Sequence, residues 1–198
     1  MEYTLPPESA LAHHYLDNLK GLEIGGSAHN VFGLNTQNVD FTKEFTVFKE
    51  LEIDYCGRYL PVDIESPGDD IAVASRSQDF VVSSHVLEHF VDPIKALLEW
   101  YRVIKHGGFI FMIVPHRDRT FDSMRCRTTL QELLDRHAGF ITLEQSVHTH
   151  YSVWITEDVV QLINHMNAKK IFPTPMTIME VQDVDDKVGN GFTIVLKK

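Results

Sequence analysis

Two stretches decide the fold: Asp79-Phe80-Val81-Val82-Ser83-Ser84-His85-Val86-Leu87-Glu88-His89, leading into Asp92-Pro93, and then Phe109-Ile110-Phe111-Met112-Ile113-Val114-Pro115. Phe80 to Ser84 is β-branched and aromatic, so it reads as a strand. Asp92 offers an N-cap oxygen and Pro93 suits the first helical position. Gly107 can take the left-handed conformation that ends a helix, so a helix is expected over 93–106. Ile94, Leu97, Leu98, Tyr101 and Ile104 lay one apolar stripe along it, which must pack on something. Phe109 to Val114 is apolar at every position, as a strand buried on both faces should be, and Pro115 ends it.

Upstream, Gly21-Leu22-Glu23-Ile24-Gly25-Gly26 is a short apolar strand running into glycines, preceded by a short helix over 10–19. Thr36 to Val39 is strand-like, and 42–51 is a further helix candidate. Downstream, one helix starts near Thr129, whose hydroxyl stands three residues before Glu132 as in a capping box. Another starts near Thr156, with Glu157 and Asp158 where the helix dipole favours negative charge. Thr177 to Val181 and Phe192 to Leu196 flank the turn-rich 183–191, an antiparallel hairpin. Strands alternating with helices imply a parallel sheet covered on both faces, an α/β fold, and 1–198 is expected to be a single domain.

Composition narrows the function. In 198 residues, 43% are apolar and 23% charged, with a formal net charge of −10. That field repels phosphate backbones and anionic headgroups, so nucleic acid is an unfavoured partner. Cys56 and Cys126 are too few for a disulfide scaffold. The longest strongly apolar run, Phe109 to Val114, is far short of the roughly 20 residues of a membrane span. No signal peptide is expected from the start of the chain, and the expectation is a reduced, cytoplasmic protein.

In a doubly wound sheet, ligands bind at the carboxyl ends of the strands. Glu23, Gly25, Gly26 and Ser27 follow the first strand. Glycines there either let the backbone approach a ligand and present its amides, or make an ordinary tight turn. Glu23 is placed to bind a ligand amine. Asp40, closing the second strand, could accept both hydroxyls of a ribose. The spacing from Gly25 to Asp40 is 15, against about 20 in a dinucleotide fingerprint, which leaves little room for an intervening helix. Asp63, after Leu60-Pro61-Val62, is either a third ligand or a solvated turn residue. His85-Val86-Leu87-Glu88-His89 matches H-x-x-E-H, a zinc-hydrolase signature. That motif needs the body of a helix, whereas this one begins at a strand's end, so zinc hydrolysis is a remote alternative and no metal is expected.

Taken together, Leu22-Glu23-Ile24-Gly25-Gly26, Asp79 to His89, Asp92-Pro93 and Glu99-Trp100-Tyr101-Arg102-Val103-Ile104-Lys105-His106-Gly107-Gly108 resemble a class I S-adenosylmethionine-dependent methyltransferase of the small-molecule branch. Similar domains accompany bacterial polysaccharide biosynthesis. The likeness runs from about Gly21 to Pro115. It implies a Rossmann-like, doubly wound, mostly parallel seven-stranded sheet with the C-terminal hairpin as its last two strands. It also implies S-adenosylmethionine as cofactor. Glu23 and the Gly25-Gly26-Ser27 loop would hold the methionine part and Asp40 the ribose. Asp63 or its neighbours would lie beside the adenine, and Ser84 and His85 would line the pocket. The later glycines of the family's acidic-x-G-x-G-x-G loop are missing here, which leaves a catalytically silent binding module as the alternative.

Methyl transfer needs alignment, and a base if the acceptor is a hydroxyl. His116 is the expected base, with Asp122 to orient it. Arg117, Arg119, Arg125 and Arg127 form a basic patch that would suit an anionic acceptor, such as a nucleotide sugar or phosphorylated glycan, unless they pair with surface acids. His148 and His150 would line the acceptor site, and Trp154 would stack on a sugar ring unless it is buried in the core.

Overall fold

The computed structural model describes residues 5–144 and 149–198. The Ser9 hydroxyl accepts the Ala12 amide and starts the first helix, α1 (Ala10–Leu16). The chain then enters β1 (Gly21–Ile24), fully buried, and β2 (Thr36–Asp40). Only a 3-10 turn, Ala28–Asn30, lies between them, as the short spacing foretold. Next come α2 (Val47–Cys56), the two-residue β3 (Ile64–Glu65) and β4 (Gln78–Ser84). After them, α3 (Pro93–Val103) leads into β5 (Ile104–Pro115), followed by α4 (Leu130–His137) and α5 (Thr156–Ala168). β6 (Thr177–Gln182) and β7 (Gly191–Lys197) close the chain.

The strands form one seven-stranded sheet in the order β3-β2-β1-β4-β5-β7-β6. The pairs from β3 to β5 are parallel, and the last two strands run antiparallel, with β7 between β5 and β6. This is the Rossmann-like architecture expected. One face carries the larger core, where Leu22, Val81, Ile110 and Met112 meet Ile94, Leu97 and Trp100 of α3 and Leu162 and Ile163 of α5. Full burial of each such side chain contributes about 1.5–3 kcal/mol. The other face is thinner: Phe80, Val82, Phe111 and Val195 pack beneath Ala12 and Leu16 of α1 and Phe32.

Three local expectations shift. Asp92 does cap α3, accepting the Lys95 amide at 3.0 Å. However, the helix ends at Val103, and Ile104 is already extended. Gly107 is left-handed (φ 79°) inside β5, where the strand bulges: Gln78 pairs with Ile104 but Phe80 with Phe109. The second helix runs over 47–56 rather than 42–51, and it is inverted. Its Lys49 and Glu52 are buried, while Val47, Leu51, Ile53 and Tyr55 face outward. Thr129 caps α4 through the Glu132 amide, but the Glu132 carboxylate pairs with Arg136 instead of closing the capping box.

Candidate active site

The sheet register brings the expected cofactor residues onto neighbouring strand ends. Ile24 stands between Val39 and Ser83, so Gly25 follows on the rung shared by Asp40 of β2 and Ser84 of β4. Neighbouring strands lie about 4.8 Å apart, which puts the three within reach of one ligand. Gly25 has φ 64°, and a Cβ there would come within 3.0 Å of Val86. Gly26 has no room for one either, because the Asn38 side chain would lie at 2.7 Å and the Glu23 carboxyl carbon at 3.2 Å.

The two glycine amides, however, do not face a ligand. Gly25 N–H donates to the Val39 carbonyl at 2.9 Å, and Gly26 N–H to Asn38 Oδ1 at 2.9 Å. The polar groups that these strand ends offer are therefore side-chain acids and a hydroxyl. Glu23 is almost wholly buried and accepts the Thr36 hydroxyl at 3.3 Å; burial pushes its carboxyl up to about 7. Asp40 accepts the Phe41 amide at 2.7 Å and lies 3.9 Å from Lys49 Nζ, with burial raising its carboxyl. Ser84 accepts from Asn30 Nδ2 at 2.7 Å, which ties the Ala28–Asn30 turn across the crevice. Ser27 Oγ lies 2.7 Å from His29 Nδ1. Asp63 stands just ahead of β3, exposed, and accepts the Asn38 amide at 2.8 Å, so it braces the sheet edge.

The expected acceptor residues fare differently. His116 Nδ1 accepts the Asp118 amide at 3.2 Å, so a neutral ring carries its proton on Nε2 and its basic nitrogen is engaged by the chain's own backbone. Burial, and then Arg119, hold its pKa below the ordinary value. Asp122 does not orient His116. It accepts from His150 Nδ1 at 2.6 Å and from Arg125 at 2.6 Å. The four arginines are not a free patch. Arg117 faces Asp118 at 2.7 Å, Arg119 braces the hairpin through Asp183 and the Gly191 carbonyl, and Arg127 lies 3.7 Å from Asp158. Trp154 is 1% exposed and belongs to the core. His148 lies outside the described residues.

The chain reverses after β4 because His85 is left-handed (φ 55°), and the 3-10 turn Leu87–His89 follows. This separates the members of the H-x-x-E-H pattern. Glu88 and His89 meet His150, not His85, with candidate ligand atoms all within 4.8 Å of one another. Phe121, 79% exposed, lies 4.7 Å from the His150 ring at the mouth of this cluster. No spacing in the sequence could have joined His150 to Glu88 and Asp122.

With that geometry in view, residues 21–112 match a family profile described as a methyltransferase domain. The chain is 26% identical over 176 residues to an uncharacterised protein of Methanocaldococcus jannaschii, covering 87% of this chain and 76% of that one. Its fold is similar to a solved S-adenosylmethionine-dependent methyltransferase from Aquifex aeolicus, with TM-score 0.55 and 14% identity over 94% of this chain and 86% of that one. A second, from Methanosarcina mazei, has TM-score 0.53 and 16% identity over 96% and 97% of the two chains. Residues 21–112 thus resemble a methyltransferase domain, and the chain has the fold of solved S-adenosylmethionine-dependent methyltransferases. Both solved structures are named as S-adenosylmethionine-dependent. Among the described residues no helix is long and apolar enough to cross a membrane.

Proposed function

We propose that this chain methylates a hydroxyl or amine of a small, sugar-type acceptor in the cytoplasm, within polysaccharide or related glycan synthesis, and that it folds as one domain over 1–198. The observation that carries the reading is the shared rung of Gly25, Asp40 and Ser84, with buried Glu23 behind it. These groups fit a cationic nucleoside: Glu23 would face its amine, Asp40 its ribose hydroxyls, and Ser84 with His85 the wall beside β4. When bound, the cofactor supplies a sulfonium-activated methyl group.

The chain's own contribution is alignment, which is worth several kcal/mol in such displacements. Asp40 fixes the ribose end against β2, and left-handed Gly25 clears the path beside Val86. Phe121 offers an exposed ring at the mouth on which the apolar face of a sugar can stack. Because the arginines already hold carboxylates, the acceptor is drawn as neutral rather than phosphorylated. Calorimetric titration with S-adenosylmethionine, then a methyl-transfer screen over nucleotide sugars and free glycans, tests the reading. Turnover on a neutral glycan supports it, and turnover confined to nucleotide sugars or to non-sugar acceptors rejects the acceptor class.

One pattern favours a second reading, a silent binding module: both glycine amides and the His116 Nδ1 lone pair are engaged internally. Tight cofactor binding with no methyl transfer to any acceptor would select it.

A further inference from the structure

Three candidate metal ligands converge beside the exposed Phe121 ring. Glu88 is 0% exposed, and no other described residue donates a hydrogen bond to either of its carboxylate oxygens. Such burial is costly without a compensating partner. His89 Nδ1 lies 3.1 Å from the Thr149 carbonyl, which can only accept, so Nδ1 carries the proton and Nε2 is bare. His150 Nδ1 donates to Asp122 in the same way and leaves its Nε2 bare. The two Nε2 atoms lie 3.7 and 3.9 Å from Glu88 Oε1. These gaps are too long for hydrogen bonds.

We propose that Glu88, His89 and His150 bind a divalent cation of the zinc type. Two imidazoles and one carboxylate are a donor set for zinc and its first-row neighbours rather than for magnesium or calcium. Donors on one tetrahedral zinc stand about 3.3 Å apart, so the set closes by small side-chain rotations. The outer shell is built as metal sites require: a carboxylate orients His150, a backbone carbonyl orients His89, and Arg125 in turn holds Asp122 at 2.6 Å. Three protein ligands leave one position for water or an acceptor hydroxyl, next to exposed Phe121. His85 takes no part, so this is not the H-x-x-E-H arrangement of a zinc hydrolase. Metal binding is measured without cofactor or acceptor, so its failure and that of the methyl-transfer reading are distinguishable.

The test uses the tag-free full chain, with elemental analysis after purification and zinc titration against a chromogenic chelator. One zinc per chain is expected, along with a zinc-dependent rise in melting temperature. Cobalt in its place should give the visible absorption bands of a tetrahedral site. Glu88→Gln and His150→Ala should each weaken zinc binding at least tenfold, and Asp122→Asn by about 10–100-fold. His106→Ala, an exposed histidine elsewhere, should bind as the parent does. If a variant loses its circular dichroism, His89→Ala in the same assay replaces it. Substoichiometric zinc in the parent, unchanged affinity in the folded ligand variants, or equal competition by magnesium would each overturn the assignment.

Discussion

Glu23 is the residue whose chemistry the fold alters most directly at the crevice. Burial raises its pKa from 4.5 to about 7. Below pH 4.5 the carboxyl is protonated in both folded and unfolded chains. Between 4.5 and 7 only the folded chain keeps the proton. The stability that this proton gives is therefore complete at low pH and is lost as pH rises through about 7, a change of about 3 kcal/mol. Urea melts at pH 5 and pH 8.5 should show Glu23→Gln less dependent on pH than the parent, and parallel slopes would refute the shift. Cofactor binding should strengthen over the same window, since an amine needs the ionised carboxylate. Asp40 gives a second prediction. A hydrogen bond to a charged group is worth about 1.5–3 kcal/mol, so Asp40→Ala should weaken S-adenosylmethionine about 10–100-fold by calorimetry. An unchanged dissociation constant would remove Asp40 from the ribose site.

Among the elements, α2 reverses the usual rule for a surface helix. Glu52 accepts the Ala28 and Leu60 amides, each at 2.9 Å, and pairs with Lys49 at 3.2 Å, all under cover. Breaking a buried pair typically costs about 3–5 kcal/mol, so Glu52→Ala should be among the most destabilising changes in this helix. Leu51→Ser, on the outward face, should stay within about 0.5 kcal/mol. Denaturant melts that rank the two the other way would show the helix to be mis-seated. The inversion also explains what the sequence concealed. Apolar patterning located α3, β5 and β7 because their apolar residues do face the core, whereas Met179 and Val181 of β6 are exposed. In α2 the stripe faces water and the buried contacts are ionic, so its limits slipped by five residues at each end. β3 has two residues, too few for any pattern. Strand ends made Glu23, Asp40 and Ser84 legible, since topology alone places them. The partner of Asp122 was not legible, because loops bring His150 to it across 28 positions.

For the molecule as a whole, the terminal hairpin does more than finish the sheet. Its turn is organised by Asp185, which accepts the Lys187, Val188, Gly189 and Gly191 amides. That turn projects Lys187 beneath the thin face of the sheet, where Nζ meets the Pro7 and Val31 carbonyls and lies 4.7 Å from the Phe32 ring. Asp186 accepts the Leu11 amide at 2.9 Å nearby. Hydrogen exchange should therefore show α1 and the 28–34 loop loosening in Lys187→Met, with β4 and β5 unaffected. Equal protection of α1 in both proteins would count against this tie.

The crevice beside β1 has no helix behind it, only a three-residue turn, and its glycine amides are already engaged. It thus lacks the macrodipole that usually greets a ligand's carboxylate, and its charged contacts are anionic. Such a crevice discriminates by charge. Losing the methyl group removes the sulfonium's positive charge, so the exhausted donor should leave more readily than fresh donor, and end-product inhibition should be mild at low salt and grow as added salt screens that preference.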